Sequence, residues 1–188
     1  MSTASQLEPQ ASHAPKIAGS GQYLTFLLAG EEYGLDILKV QEIRGWTQVT
    51  RIPHTPPHVQ GVLNLRGTIV PIIDLRRRFD LEKVEYTRTT VVIVLSVTDW
   101  TGDVQGRTSA AGGGTPGAAK RVIGIVVDGV TGVLDVTPET VKPAPNFGSA
   151  VSTEFINGMA SVGKRMVILL DSDRLLTEDE LAALDTVH

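Results

Sequence analysis

The residues with the spacing of a metal site are His54 and His58, which are four positions apart. On a helix, that spacing lets two imidazoles hold one zinc ion. Pro56 and Pro57 lie between the two histidines and are incompatible with a helix interior, and no third ligand is near in the sequence. The sequence therefore predicts no metal site.

The sequence also lacks the residues that phosphate binding and nucleophilic catalysis require. Gly112 and Gly117 have the glycine spacing of a phosphate-binding loop, but Ala118 and Ala119 stand where that loop needs Lys and Ser or Thr. The carboxylates are scattered along the chain, and no serine lies in a nucleophile elbow. We therefore expect no catalytic residue and no cofactor, in a protein that is not an enzyme.

Arginine offers a different chemistry, which is directed hydrogen bonding to a partner. Arg66 lies in the phrase Asn64-Leu65-Arg66-Gly67 between two β-rich runs, so we expect it at the end of a hairpin. A solvated turn arginine and a partner contact are both compatible with this position. The run Arg76–Arg78 stands beside acidic residues, which is typical of a solvated helix face with ion pairs of little energetic value.

The elements that must position these residues are mostly strands. The predicted strands are Tyr23–Leu28, Glu31–Asp36, Val49–Ile52, Val59–Leu65, Thr68–Leu75, Thr89–Val97, Arg121–Asp128 and Arg165–Leu170. Ile37–Arg44 suits a short helix or an irregular turn, and Leu75–Phe79 suits a short helix. Thr177 and Glu180 have capping-box spacing, which predicts a C-terminal helix over residues 177–188.

Two segments have compositions that do not favour a packed core. Residues 1–20 are rich in Ser, Ala, Pro and Gln, and we expect a disordered tail. Residues 99–120 include Gly112-Gly113-Gly114 and Thr115-Pro116-Gly117, and we expect a mobile insertion in a hairpin loop. The folded domain is therefore expected over residues 21–176.

The two halves of the chain show a weak internal repeat. Gly34, Val40, Ile43 and Pro53 match Gly124, Val130, Val133 and Pro143, each 90 positions later. Gly61, Leu65, Val70 and Asp74 match Gly158, Val162, Val167 and Asp171, each 97 positions later. The first strands, Gln22–Leu28 and Thr90–Ser96, match at an offset of 68. Chance alignment of Gly and Val is the alternative, but the constant offsets favour two small β-barrels, over about 22–88 and 89–172.

Composition limits the kinds of partner. The formal net charge is -4, and only two Trp, three Tyr and four Phe are present, which speaks against a nucleic-acid-binding groove or an anionic membrane surface. The chain has no cysteine, which excludes a disulfide scaffold and fits a reducing compartment. No apolar run approaches the roughly 20 residues of a membrane span, and the start lacks a secretory signal. We expect a cytoplasmic protein without membrane insertion.

Several phrases of the sequence form a specific combination. They are Glu32-Tyr33-Gly34-Leu35-Asp36-Ile37, Val40-Gln41-Glu42-Ile43, Ile52-Pro53, Gly61-Val62-Leu63-Asn64-Leu65-Arg66-Gly67, Val70-Pro71-Ile72-Ile73-Asp74-Leu75, Gly124-Ile125-Val126-Val127-Asp128 and Phe155-Ile156-Asn157-Gly158. Together they resemble the CheW family of chemotaxis coupling proteins over roughly Gln22 to Leu176. The insertion at 99–120 is longer than expected of a typical member.

The resemblance implies a mainly β fold, with two SH3-like five-stranded β-barrel subdomains packed together, short helices and a C-terminal helix. It implies an adaptor that binds the regulatory domain of the histidine kinase CheA and the cytoplasmic tip of chemoreceptors (methyl-accepting chemotaxis proteins). Other CheW copies in the signalling arrays are a further potential partner. A CheW-like scaffold of a surface-sensing or type IV pilus pathway remains an alternative, and a nucleic-acid-binding small barrel is a more distant one.

The resemblance also selects site residues. It favours partner contact for Arg66 and suggests that Glu42 pairs with it, with Asn64 in the same turn. Val40, Ile43, Val62 and Leu65 are candidates for an apolar groove that accepts a helix face, and we expect ordinary core packing for at least half of them. Gly61 and Gly67 are expected to permit backbone conformations that other residues avoid.

Overall fold

Strands form most of the computed structural model, which describes residues 20–82, 85–98, 120–144, 154–177 and 179–180. They are β1 (Gly21–Leu28), β2 (Glu31–Asp36), β3 (Val40–Gly45), β4 (Val59–Leu65), β5 (Thr68–Asp74), β6 (Val91–Thr98), β7 (Lys120–Val127), β8 (Gly129–Val136), β9 (Val141–Lys142), β10 (Ile156–Val162) and β11 (Arg165–Leu170). The helix α1 spans Leu75–Arg78, and 3-10 turns span Ile37–Lys39, Pro138–Thr140 and Ser172–Arg174. The predicted mainly β class is confirmed.

The strands form two sheets that do not follow chain order. The first sheet has the order β8-β1-β2-β11-β10-β9, and the second has the order β3-β6-β7-β5-β4. In each sheet a parallel pair, β2–β11 or β5–β7, joins strands from different halves of the chain. The expected subdomains over about 22–88 and 89–172 therefore do not coincide with the two sheets, and SH3-like barrel geometry stays a prediction.

The strand register confirms the internal repeat. Gly34 lies opposite Leu169 in the first sheet, and Gly124 lies opposite Ile72 in the second. Gly124 is 90 positions after Gly34, and Leu169 is 97 positions after Ile72. The strands β1 to β5 of the first copy correspond, in order, to β6, β7, β8, β10 and β11 of the second. With this correspondence, the second sheet repeats the strand order of the first, apart from the additional edge strand β9. The duplicated units have thus exchanged strands.

The offset of 68 predicted for the first strand is wrong by one residue. Thr25 lies opposite Gly34, whereas Val94 lies opposite Gly124, so equivalent positions in β1 and β6 are 69 apart. A slip of one residue moves every side chain of a strand to the other face. Aligning the apolar residues of β1 and β6 did not reveal this one-residue difference, because β6 is buried on both faces.

Apolar side chains form three layers. The middle layer lies between the sheets and includes Phe26, Leu28 and Leu35 from the first sheet and Ile73, Ile93 and Ile125 from the second. The first outer layer contains Tyr23, Val136, Val141, Ala160, Val167 and Leu169, and the second outer layer contains Val70, Ile72, Val92, Val94 and Val126. Neighbours in sequence enter different layers because successive strand side chains point to opposite faces.

Two local predictions need correction. The segment Ile37–Arg44 is a 3-10 turn followed by β3, because its second half pairs with the apolar strand β6. Val49–Ile52 does not form a strand of its own, and Thr50 instead makes an isolated pair with Val62.

The predicted terminal and inserted segments lie largely outside the described residues. This holds for residues 1–19 of the tail, 99–119 of the insertion and 181–188 of the C-terminal helix, while Lys120 already begins β7. The capping box itself is present. The backbone N–H of Thr177 donates to Glu180 Oε2 over 2.8 Å, and the N–H of Glu180 donates to Thr177 Oγ1 over 3.3 Å.

Gly34 and Gly124 make room for large side chains at the central parallel pairs. A Cβ on Gly124 would lie 2.5 Å from Ile72 Cδ1 and 2.9 Å from Val92 Cγ1. A Cβ on Gly34 would lie 2.9 Å from Leu169 Cδ2. A side chain at either position would therefore displace the neighbouring apolar side chains.

We expect Gly124→Ala to lower the free energy of unfolding by about 1–3 kcal/mol, because the added methyl group overpacks the second outer layer. Gly45→Ala is the control, since a Cβ there meets no heavy atom within 4 Å among the described residues. Alanine suits a strand interior better than glycine, so the control should be neutral or slightly stabilising. Urea unfolding followed by circular dichroism measures both variants, and equal stabilities would contradict the packing argument.

Candidate functional site

Arg66 occupies the first position of the two-residue turn between β4 and β5. Its φ is 53°, and that of Gly67 is 87°. Turns with two positive φ values match the twist of hairpin strands and favour Asn or Gly. An arginine in this conformation is strained by roughly 1–2 kcal/mol. Asn64 Oδ1 accepts a 2.8 Å hydrogen bond from the N–H of Gly67, which closes the turn.

Arg66 is at once exposed and oriented. Its side chain is 87% exposed, and Nη2 donates a 2.8 Å hydrogen bond to Glu42 Oε2 in β3. The pairing that the family resemblance suggested is therefore present. Arg44 Nη1 lies 3.5 Å from the other carboxylate oxygen of Glu42. Because exposed ion pairs add at most about 1 kcal/mol, we attribute to this one an orienting role.

Gly61 lets the two edges of the second sheet approach each other. Its φ is 148°, and a Cβ there would clash with the carbonyl oxygen of Thr50. Thr50, which follows the edge strand β3, exchanges two backbone hydrogen bonds of 3.0 and 2.8 Å with Val62 in the opposite edge strand β4. The sheet therefore curls. Gly61 and Gly67 both have the backbone conformations that the sequence predicted.

The four apolar candidates do not share one layer. Val40 packs against the middle layer and Leu65 against the second outer layer. Val62 is half-buried, whereas Ile43 is 45% exposed. Sequence reasoning missed Ile69, which is 49% exposed just beyond the Arg66 turn. It was missed because the strand Thr68–Leu75 reads as one continuous apolar run.

His58, considered above as a metal ligand, instead contacts the C-terminal segment. The imidazole is buried, with Nε2 2.9 Å from Glu180 Oε1. Burial lowers the pKa of His58, and the nearby Arg78 lowers it further, although Glu180 acts in the opposite direction. The sequence carries no signal for this contact, because its partners lie at distant positions in the chain.

Within the described ranges, no group of three or more His, Cys, Asp or Glu side chains could hold a metal ion. No helix in that part of the chain is long and apolar enough to cross a bilayer.

The geometry around Arg66 is that of a protein-binding surface. An exposed arginine at a hairpin end is paired with Glu42, and exposed isoleucines lie on β3 and β5. Arginine and apolar anchors on a rigid scaffold are the usual source of binding energy between proteins. The fold and this surface together define a two-sheet β protein of the binding-module class.

Known proteins resemble this chain over nearly its full length. A family model described as CheW-like domain matches residues 22–180. Chemotaxis protein CheW of Klebsiella aerogenes is 48% identical over 175 residues, which cover 92% of this chain and 93% of that protein. A probable chemotaxis protein CheW of Rhizobium etli is 33% identical over 165 residues, covering 88% and 93%.

A solved structure agrees with this match. The crystal structure of the scaffolding protein TtCheW from Thermoanaerobacter tengcongensis is similar with a TM-score of 0.67 at 28% identity, covering 85% of this chain and 94% of that one. The chain therefore belongs to the CheW-like domain family. The resemblance seen in its sequence is confirmed, and a scaffold or adaptor role in chemotaxis is supported.

We expect Arg66→Gly to leave the free energy of unfolding unchanged or to raise it by up to about 1 kcal/mol. Glycine relieves the strain of the positive φ, and this gain offsets the loss of an exposed ion pair. Gly67→Ala, in the same turn, is the matched control and should be destabilising because its φ is 87°. Chemical denaturation measures both, and a loss above about 2 kcal/mol for Arg66→Gly would mean that Arg66 is structural.

We expect the stability of the protein to fall as the pH drops from 7.5 to 5.5, and to fall less in His58→Gln. Because burial lowers the pKa of His58 below its usual 6.5, the unfolded chain binds more protons than the folded one in this range. The stabilising contribution of neutral His58 is complete above pH 6.5 and is lost below it. The exposed His54 provides the control His54→Gln. Identical pH profiles for wild type and His58→Gln in urea unfolding would contradict this assignment.

Proposed function

We propose that this chain is a chemotaxis adaptor that binds the regulatory domain of the histidine kinase CheA and the cytoplasmic tip of a chemoreceptor at the same time. Arg66 is the principal receptor-contacting residue. The observation that carries this proposal is an exposed arginine that Glu42 holds in place on a strained turn. Strained backbone is retained where the surrounding structure and a function require it.

The adaptor role follows from what the surface can do physically. Arg66 can donate several directed hydrogen bonds to carboxylates or carbonyls of a partner. Ile43 in β3 and Ile69 in β5 are exposed apolar residues of the same sheet that can supply contact area. Asn64 shapes the turn, and Val40, Val62 and Leu65 support the surface from within the sheet. The work of this site is binding, and no bond-making step is assigned to it.

Transmission of a signal requires more than simultaneous binding. A scaffold can bias the kinase only if its affinity for receptor or kinase differs between their signalling states. A rigid double sheet suits this role, because a displacement at one surface reaches the other through packed layers. Since the receptor tip is cytoplasmic, the proposal places the chain in the cytoplasm, at receptor arrays.

The names of the relatives favour chemotaxis over a surface-sensing or pilus pathway. The two relatives compared above are named as chemotaxis proteins, and one of them is 48% identical to this chain. The identity of the receptor and kinase that the chain binds in its own cell separates the two pathways. Purified partners from the same organism therefore form part of the test.

We expect Arg66→Gly to weaken binding of a receptor cytoplasmic fragment tenfold or more, which corresponds to about 1.4 kcal/mol. Binding of the kinase regulatory domain should change little, because the substitution leaves the folded scaffold intact. Titration calorimetry with the full chain measures each affinity. Size-exclusion chromatography tests whether wild type forms a ternary complex.

Arg88→Gly is the control, since Arg88 is another exposed arginine away from the hairpin end. It should bind both partners as wild type does. Retention of the receptor fragment by Arg66→Gly would remove Arg66 from the site. Failure of wild type to bind either partner would overturn the adaptor function itself.

A further inference from the structure

A second open surface lies at one end of the first sheet. It is a cleft of about 360 Å³ between the ends of β1, β2, β8 and β11. Its lining includes Leu27, Glu31, Glu32, Thr131, Arg165 and Met166. None of these residues belongs to the Arg66 surface, which lies on the second sheet.

The internal repeat shows how this end of the first sheet differs from the Arg66 surface. Gly132 and Gly163 occupy the positions that match Glu42 and Arg66, at offsets of 90 and 97. A Cβ on either glycine would meet no described heavy atom within 4 Å. At the first turn position φ is positive in both copies, 59° at Gly163 and 53° at Arg66, whereas at the second position φ is positive at Gly67 but not at Lys164. An ion pair thus joins these two positions in the second sheet, whereas both matching positions lack a side chain in the first.

The chemistry of the cleft differs from that of the Arg66 surface. Glu32 is 12% exposed and accepts hydrogen bonds from Thr131 Oγ1 at 2.9 Å and Arg165 Nη1 at 3.1 Å. The positive charge of Arg165 is therefore balanced by Glu32, while Glu31 adds a further exposed carboxylate. The lining has two carboxylates and one guanidinium, and it is net negative.

Apolar side chains accompany this charge. Leu27 is 40% exposed and Met166 is 44% exposed. Exposed apolar residues beside charged groups in a concave surface are characteristic of a protein-binding site. Methionine adds adaptability, because its flexible side chain can fit differently shaped partners.

We propose that this cleft binds a protein segment that presents an apolar side chain next to a single lysine or arginine. The apolar side chain would pack on Leu27 and Met166, and the cation would pair with Glu31. A segment with an acidic residue in that place would meet repulsion from Glu31. This surface is separate from the Arg66 surface, so one chain can bind two partners without competition.

The test uses the full chain and two short alanine-based helical peptides. One carries leucine and lysine one helical turn apart on the same face, and its twin carries glutamate in place of lysine. Amide chemical shifts followed by NMR during titration report both the site and the affinity. We expect the lysine peptide to shift the amides of Leu27, Glu31 and Met166, with at least tenfold higher affinity than its twin. Added salt should weaken its binding.

Two variants sharpen the result. Glu31→Lys should reverse the preference between the peptides, whereas Asp135→Lys, at an exposed acidic position of β8, should not. Equal affinity for the two peptides, shifts confined to other surfaces or no binding of either would overturn the proposal. These outcomes do not involve Arg66, so they are independent of the adaptor test.

Discussion

The middle apolar layer is the constraint on which the rest of the structure depends. Its side chains come from both sheets, and each fully buried Leu, Ile or Phe contributes about 1.5–3 kcal/mol. Neither sheet can leave the other without exposing this layer to water. Ion pairs reinforce the crossings between the halves, since Lys39 Nζ lies 3.0 Å from Asp173 and Arg76 Nε lies 2.8 Å from Asp128. The hairpin ends extend from these two packed sheets.

Duplication has produced two matching ends with different surface chemistry. One turn carries Arg66 paired with Glu42, whereas the other copy has glycine at both matching positions. A scaffold that must hold two unlike proteins needs surfaces that do not compete for the same partner. In the proposed adaptor, divergence of side chains at equivalent hairpin ends would meet that need without a change of fold.

Local features were predictable from the sequence, while long-range ones were not. The β4–β5 hairpin, the helix at Leu75 and the capping box at Thr177 follow from nearby residues, and the structure contains all three. The constant offsets of the repeat identified equivalent residues in the two halves. They did not indicate that strands of one half pair with strands of the other. The parallel pairs and the contact of His58 with Glu180 join distant positions, and nothing in their local spacing marks them. The exposure of Ile69 could not be predicted, because a continuous apolar run is compatible both with a fully buried strand and with a strand that is exposed on one face.

Strand exchange also bears on how the chain is made on the ribosome. The β1–β2 hairpin is synthesised well before its sheet neighbours, β8 (Gly129–Val136) and β11 (Arg165–Leu170). Until those strands emerge, the outer edges of the hairpin have no native partner strand, although Phe26 and Tyr33 already stack within it. Contacts between residues so far apart in sequence slow folding and leave apolar surface open to chaperones and to aggregation. The last strands released, rather than the first, complete the first sheet.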